Sequence, residues 1–290
     1  DGDPSAGARM ASKTKEGWQV RPVYQPIVAL GTGGVVGYEA LARGVASDGT
    51  LELPRALFGR AERVGKLREL DLACWRAAIG GVAAGMLADG SPVRLFVNVM
   101  PDTLVAPGFE EWALGVLAEH GVPPTRVVLE LSEGRRIGSY ARVREAVERF
   151  RALGFRFAID DAGTGHSGLQ ALAELRPDLV KIDRSLVRRV DRDEARSAIL
   201  ELFVALADRL GTRLVAEGIE TAGEIRALVA LGVELGQGHY LARPVEDPIA
   251  AGHENRVAAR LANAGVVVLN GRRGAAESEM PGARGRVVGA

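Results

Sequence analysis

The stretch Val23-Tyr24-Gln25-Pro26-Ile27-Val28-Ala29-Leu30-Gly31-Thr32-Gly33-Gly34-Val35-Val36-Gly37-Tyr38-Glu39-Ala40-Leu41 decides the fold. Two β-rich runs, residues 23–30 and 35–41, are joined by four small residues, three of them glycine. So short a link closes a hairpin, which makes the first two strands antiparallel. It also argues against an open doubly wound sheet. Such a sheet wants a Gly-rich turn leading from an early strand into a phosphate-binding helix, and here the turn leads into a strand.

Downstream, strand and helix signals alternate. Short apolar runs ending in polar residues occupy 95–98, 127–130, 155–160, 179–181, 214–217 and 233–238. Helical patterns separate them. Val143, Val147 and Phe150 lie at i, i+4, i+7, with Gly154 placed to end that helix. Ile199, Leu202, Phe203, Leu206 and Leu210 form a second stripe, closed by Gly211, and Thr221 with Glu224 makes a capping box. Repeated strand–helix units imply parallel strands with helices outside. The expected class is therefore α/β, a TIM-like (β/α)8 barrel with an antiparallel first strand. The ends lack hydrophobic period, so residues 1–16 are expected to be a disordered N-terminal segment, 17–270 the barrel domain and 271–290 a flexible C-terminal tail.

Composition narrows the function. Of the 290 residues, 47% are hydrophobic, and 37 Lys and Arg balance 37 Asp and Glu. A chain with no basic excess is not expected to track a nucleic-acid polymer. The single cysteine, Cys74, sits in an apolar helical pattern and reads as a small packed hydrophobe. It rules out a disulfide framework and points to a cytoplasmic location. No run reaches the roughly 18–20 apolar residues of a membrane span. The sequence starts at Asp1, so an upstream sensory domain is compatible with it.

The strand ends carry the chemistry. At one rim of the expected barrel they present Glu39, Asn98, Glu130, Asp160 with Asp161, Lys181, Glu217 and Gln237. Gln25 joins them because its strand runs backwards. This C-terminal rim is where barrel enzymes hold their active sites. Any single carboxylate here is a solvated loop residue or a helix cap as readily as a ligand; the convergence of five is different. Two like charges about 4 Å apart repel by roughly 4 kcal/mol at an effective dielectric of about 20. Lys181 offsets one charge, and the rest calls for cations. The donors are all oxygen, which suits Mg²⁺ or Mn²⁺ and not Zn²⁺. His120, His166, His239 and His253 show no zinc-ligand spacing. The charge count calls for two divalent ions, a usual device for phosphodiester hydrolysis.

These residues resemble the EAL family of bacterial cyclic di-GMP phosphodiesterases. The resemblance rests on Gln25-Pro26-Ile27, Tyr38-Glu39-Ala40-Leu41-Ala42-Arg43, Phe96-Val97-Asn98-Val99, Leu129-Glu130-Leu131-Ser132-Glu133 and Ile159-Asp160-Asp161. Lys181-Ile182-Asp183, Ala216-Glu217-Gly218-Ile219-Glu220, Gln237-Gly238 and Arg243-Pro244 follow in order. It implies hydrolysis of cyclic di-GMP to linear pGpG with two Mg²⁺ or Mn²⁺ ions. It also implies roles. Glu39, Asn98, Glu130 and Asp160 would bind one metal and Asp161 the second. Lys181 would hold the attacking water, Glu217 would be the general base, and Glu133 would brace the loop after the paired aspartates. Gln25, Arg43 and Gln237 would face the substrate or the metal shell. The implied partners are cyclic di-GMP and a second copy of the chain. The segment 160–168 departs from the family pattern, with Ala162 where Phe is common, His166 for Tyr and Gly168 for Ser. Competing readings are an EAL-type receptor or interaction module without catalysis, and a metal-dependent barrel acting on another phosphate ester. Relics of the first kind lose metal ligands or the base, and here every such position is filled.

Overall fold

Residues 18–46, 49–82, 93–132, 137–163, 168–248 and 253–266 are described by a computed structural model. The two terminal segments expected to be disordered or flexible, the loop residue Glu133 and His166 lie outside these described residues. The hairpin forms as expected. Strand β1 (Val20–Ala29) pairs antiparallel with β2 (Val35–Val45) in a register that sets Gln25 directly opposite Glu39. The Gly33 amide donates to the Ala29 carbonyl at 2.7 Å, closing the turn.

From β2 onward the barrel strands are parallel: β4 (Arg94–Asn98), β5 (Val127–Ser132), β6 (Arg156–Ala162), β7 (Leu179–Ile182), β8 (Arg213–Ala216) and β9 (Leu235–Gly236). β9 then pairs antiparallel with β1 and closes the barrel. One strand was not expected. β3 (Leu51–Glu52) adds two residues to the far end of β2, too few for any alternation to show in the sequence.

Helices cover the outside: α1 (Pro54–Arg63), α2 (Leu67–Gly80), α3 (Pro101–Leu104), α4 (Phe109–Glu119), α5 (Tyr140–Ala152), α6 (Gly168–Leu175), α7 (Arg184–Val187), α8 (Glu194–Leu210), α9 (Ala222–Ala230) and α10 (His253–Asn263). Helix α5 buries Val143, Val147 and Phe150 as their spacing requires, and α9 carries the Thr221–Glu224 capping box. Helix α8 corrects the expectation. It buries Leu200 and Ala207, while Leu202 is 71% exposed and Ile199 and Leu210 also face outward. Its apolar residues come in adjacent pairs, Ile199-Leu200 and Leu202-Phe203. Two stripes offset by one residue therefore fit the helical period, and only packing against the barrel chooses between them. Cys74 is half-buried, and burial with the nearby Asp71 charge raises its thiol pKa, as befits a packed residue. Among the described residues no helix is long and apolar enough to cross a membrane.

The lumen is plugged by Ile27, Phe96, Val128, Ala158, Leu179, Val215 and Leu235, all buried. Burying one such large side chain stabilises by about 1.5–3 kcal/mol. This layer fixes the site. Side chains on one face of a strand recur every second residue. Two positions beyond the plug on the parallel strands stand Asn98, Glu130, Asp160, Lys181, Glu217 and Gln237. Two positions before Ile27, on the reversed strand, stands Gln25.

Candidate active site

Lys181 is the centre of the cluster and is fully buried. Its Nζ lies 2.7 Å from Glu217, 3.0 Å from both Glu130 and Asp160, and 3.3 Å from Glu39. One ammonium has three protons and cannot serve four carboxylates at good angles. Accordingly Glu130 Oε1 and Asp160 Oδ1 are buried at ion-pair distance from the lysine without a hydrogen bond of acceptable geometry. Asn98 donates from Nδ2 to Glu130 at 3.2 Å and to Glu39 at 3.5 Å; an amide flip would present its oxygen there instead.

Consecutive residues of a strand normally point to opposite faces, yet Asp160 and Asp161 both reach the cluster. The backbone explains this. Asp161 has φ +60°, and the β6–β7 register shifts between Ile159 and Ala162. An irregularity of this kind re-aims a side chain. Ser132, two positions after Glu130 and on the same face, donates to Asp161 at 3.3 Å. Its period-two placement was the available signal for that role, but a serine at a strand end attracts no notice by itself.

Glu217 follows β8, and its amide donates to the Ile182 carbonyl at 3.0 Å. The next loop packs against the end of β9 so closely that a Cβ on Gly238 would sit 2.2 Å from the Ile219 backbone. Ile219 in turn donates to the Gln237 carbonyl at 3.1 Å. The two short motifs Glu217-Gly218-Ile219 and Gln237-Gly238 thus form one packed unit that sets both side chains at the rim.

Burial governs the charges. It pushes Glu217 up to about 8, opposed by Lys181 and reinforced by Asp160 and Glu39. Burial and then Asp160 push Asp161 up to about 6. Glu130 is raised well above the ordinary carboxylate range, first by burial, against the pull of Lys181. Burial also works to deprotonate Lys181, but the surrounding carboxylates outweigh it and hold its pKa well above the usual value. The cluster thus carries more negative charge than one lysine balances.

Among the described residues, two sets of three carboxylates have ligand atoms within 4.8 Å of one another: Glu39, Glu130 and Asp160, and Asp160, Asp161 and Glu217. Asp160 is common to both. The buried acceptors left without hydrogen bonds and the all-oxygen donor set fit a hard divalent cation.

Gln25 and Gln237 are buried and brace Glu39. Gln237 Nε2 donates to Gln25 at 3.0 Å and to Glu39 at 2.6 Å, while Gln25 Nε2 donates to the Ala242 carbonyl at 3.0 Å. Arg43 stands two residues beyond Leu41 and donates to the Ala42 carbonyl at 2.9 Å, close enough to Glu39 to feel its charge. Two recesses flank the cluster and share Glu39, Leu41 and Asp160. One, of about 290 Å³, is walled by Pro54, Phe58, Asp71 and Met100. The other, of about 310 Å³, is walled by Arg184, Glu217, Gln237 and His239.

Comparison with known proteins agrees with this fold. The EAL domain profile matches residues 8–244. The chain is 34% identical over 232 residues to the cyclic di-GMP phosphodiesterase RocR of Pseudomonas aeruginosa, covering 77% of this chain and 57% of that protein. Among solved structures, it superposes with a TM-score of 0.71 on a standalone EAL protein from Vibrio cholerae O395 in its c-di-GMP bound form. That pair shares 32% identity over 79% of this chain and 94% of the other. It superposes equally, with a TM-score of 0.71 and 30% identity, on the manganese and c-di-GMP complex of Klebsiella pneumoniae BlrP1, covering 82% of this chain and 58% of that one. The chain spans between 31% and 57% of the length of the first two curated relatives it matches. With the motif order, the barrel and the acidic rim in agreement, the chain belongs to the EAL domain family.

Proposed function

We propose that this chain hydrolyses cyclic di-GMP to linear pGpG in a divalent-metal-dependent reaction. The observation that carries this reading is the complete set of oxygen donors around Lys181, with no carboxylate position lost. Glu39, Asn98, Glu130 and Asp160 would hold one ion, and Asp161, with Asp160 and Glu217 beside it, a second. Two Mg²⁺ or Mn²⁺ ions, when bound, supply Lewis acidity towards the phosphodiester oxygens and lower the pKa of water. Gln25 and Gln237 keep Glu39 in its ligating orientation. Lys181 stays protonated and orients the attacking water. Glu217, 2.7 Å from Lys181 Nζ, accepts the water's proton as general base. The water oxygen goes to phosphorus, one ring ester P–O bond breaks, and the departing sugar oxygen ends with a proton. Arg43 would pair with a phosphate oxygen of the substrate. Glu133 keeps, on the family resemblance, the role of bracing the loop after Asp161. The two recesses on either side of Glu39 and Asp160 suit a ligand with two bases about a central phosphate ring. The proposal includes a cytoplasmic setting and a second copy of the chain as partner.

The test is direct: purified protein, Mg²⁺ or Mn²⁺ and cyclic di-GMP, with products separated by chromatography. Linear product should appear and stop with excess chelator. Glu39→Ala should fold, by circular dichroism, yet not turn over. Turnover in excess chelator, or an active Glu39→Ala protein, would remove the metal mechanism. Binding without cleavage would favour a receptor, with the sequence departures at Ala162 and His166 the first place to look.

A further inference from the structure

We propose that the opposite, N-terminal mouth of the barrel binds a phosphate-class oxyanion through Arg94, Arg126, Arg156 and Arg213. The placement follows the same alternation that builds the active site. Counting two residues back from Phe96, Val128, Ala158 and Val215 in the lumen plug reaches these four arginines, at the starts of β4, β6 and β8 and just before β5. Their charges are incompletely matched. Arg156 meets Asp178 at 2.7 Å and Arg213 meets Glu234 at 2.7 Å. Arg94 and Arg126 have no ion pair among the described residues, and Arg94 Nε is buried without a hydrogen-bond partner. Burial and the other three arginines all weigh against the Arg94 charge, with Asp178 alone opposing them.

Four guanidinium groups facing two carboxylates leave an excess of two positive charges in a chain whose net charge is zero. A buried N–H with no acceptor is costly. The forked donors of arginine match the tetrahedral oxygens of phosphate, and a dianion would neutralise the excess. The apolar plug separates this mouth from the acidic cluster, so it is a second site and not a part of the first. The same chemistry is offered by free phosphate and by the phosphate chain of a nucleotide.

The experiment is thermal unfolding of the protein in chelator, at fixed ionic strength set with chloride. A ligand that binds only the folded state raises the melting temperature. Inorganic phosphate should raise it, and Arg94→Met and Arg126→Met should each weaken the apparent affinity roughly tenfold or more. Arg126→Lys keeps the charge, loses the fork and should weaken it as well. A larger shift with GTP than with phosphate or pyrophosphate would assign the site to a nucleotide; an equal shift would assign it to free phosphate. Without phosphate, Arg94→Met should be at least as stable as the parent, because it relieves repulsion. The proposal is overturned if phosphate does no more than chloride, or if the variants keep the full shift. It also fails if Arg94→Met loses equal stability in both salts, which would make Arg94 a structural residue.

Discussion

At one mouth of the barrel, carboxylates crowd a single buried lysine; at the other, four arginines face two carboxylates. On β4, β5, β6 and β8 the two sets share a strand, two residues above and two below one apolar layer. They differ in how charge is shared. Lys181 contacts Glu39, Glu130, Asp160 and Glu217 at once, so no member of that cluster changes alone. Across the barrel, Arg156 meets Asp178 and Arg213 meets Glu234, which is half exposed, while Arg94 and Arg126 have no ion pair among the described residues. The same strand alternation thus yields negative charge shared through one lysine at one end, and at the other two pairwise ion contacts beside two arginines without one. Substitutions at the two ends should differ in kind as well as in size.

The largest effect should come from Lys181→Met. It keeps the aliphatic stem and leaves four carboxylates without their shared cation. Removing one partner of a buried ion pair typically costs about 3–5 kcal/mol. Urea unfolding in chelator at neutral pH should show a loss of that order, and added Mg²⁺ should restore part of it. A loss under about 1 kcal/mol would mean that the carboxylates are already neutral and the coupling is not as described.

Glu217→Gln comes next and separates chemistry from binding. The amide keeps the shape and removes the basic oxygen. General base contributions are typically about a hundred- to ten-thousand-fold. With divalent metal present, calorimetry should still record cyclic di-GMP binding, while single-turnover product formation should slow at least roughly a hundredfold. Near-normal hydrolysis would take Glu217 out of the mechanism.

A smaller effect is expected from pH. Asp161 and Glu217 have folded-state pKa values raised to about 6 and about 8, above their ordinary values. For an acid raised on folding, the unfolded chain gives up its proton first. The stability contribution is therefore full below the ordinary carboxylate value and is lost as pH climbs through about 6 and then about 8. Metal-free protein should melt lower at pH 9 than at pH 5, by an amount on the order of 5 °C. Divalent metal requires the ionised forms, so its stabilisation should grow over the same range and its binding should release protons. Glu217→Gln should flatten the upper part of the metal-free profile; an unchanged profile would separate Glu217 from the effect.

Most of the acidic mouth was legible because each polar residue interrupts an apolar run at a strand end. Gln25 was legible only through the hairpin, which reverses its strand and brings its start to the rim. The rest is set by backbone geometry and packing that single letters do not carry. The positive φ of Asp161 is a backbone state that an aspartate tolerates but its letter does not announce. The face of α8 could not be chosen while two offset apolar stripes both fit the helical period. The two residues of β3 are too few to alternate. An arginine before a strand reads as a solvated side chain, and only the register lines up Arg94, Arg126, Arg156 and Arg213 around one mouth.

The smallest effect is expected from Arg213→Gln, which probes whether the two mouths are independent. Arg213 Nε meets Glu234 at 2.7 Å, with side chains 24% and 54% exposed. Pairs of this kind contribute about 0–1 kcal/mol and weaken with salt, because water screens them and two long side chains must be ordered. A change of that size should move the melting temperature by less than about 4 °C. The buried apolar layer of Val215, Phe96 and Val128 stands between Arg213 and the carboxylates around Lys181. Hydrolysis and Mg²⁺ affinity should therefore stay within roughly twofold of the parent, a difference of about 0.4 kcal/mol. A tenfold change in kcat or metal affinity, about 1.4 kcal/mol, would show that charge at the arginine mouth is felt through the plug. Val215, on the same strand as Arg213 and two residues before Glu217, would then be the element to test next.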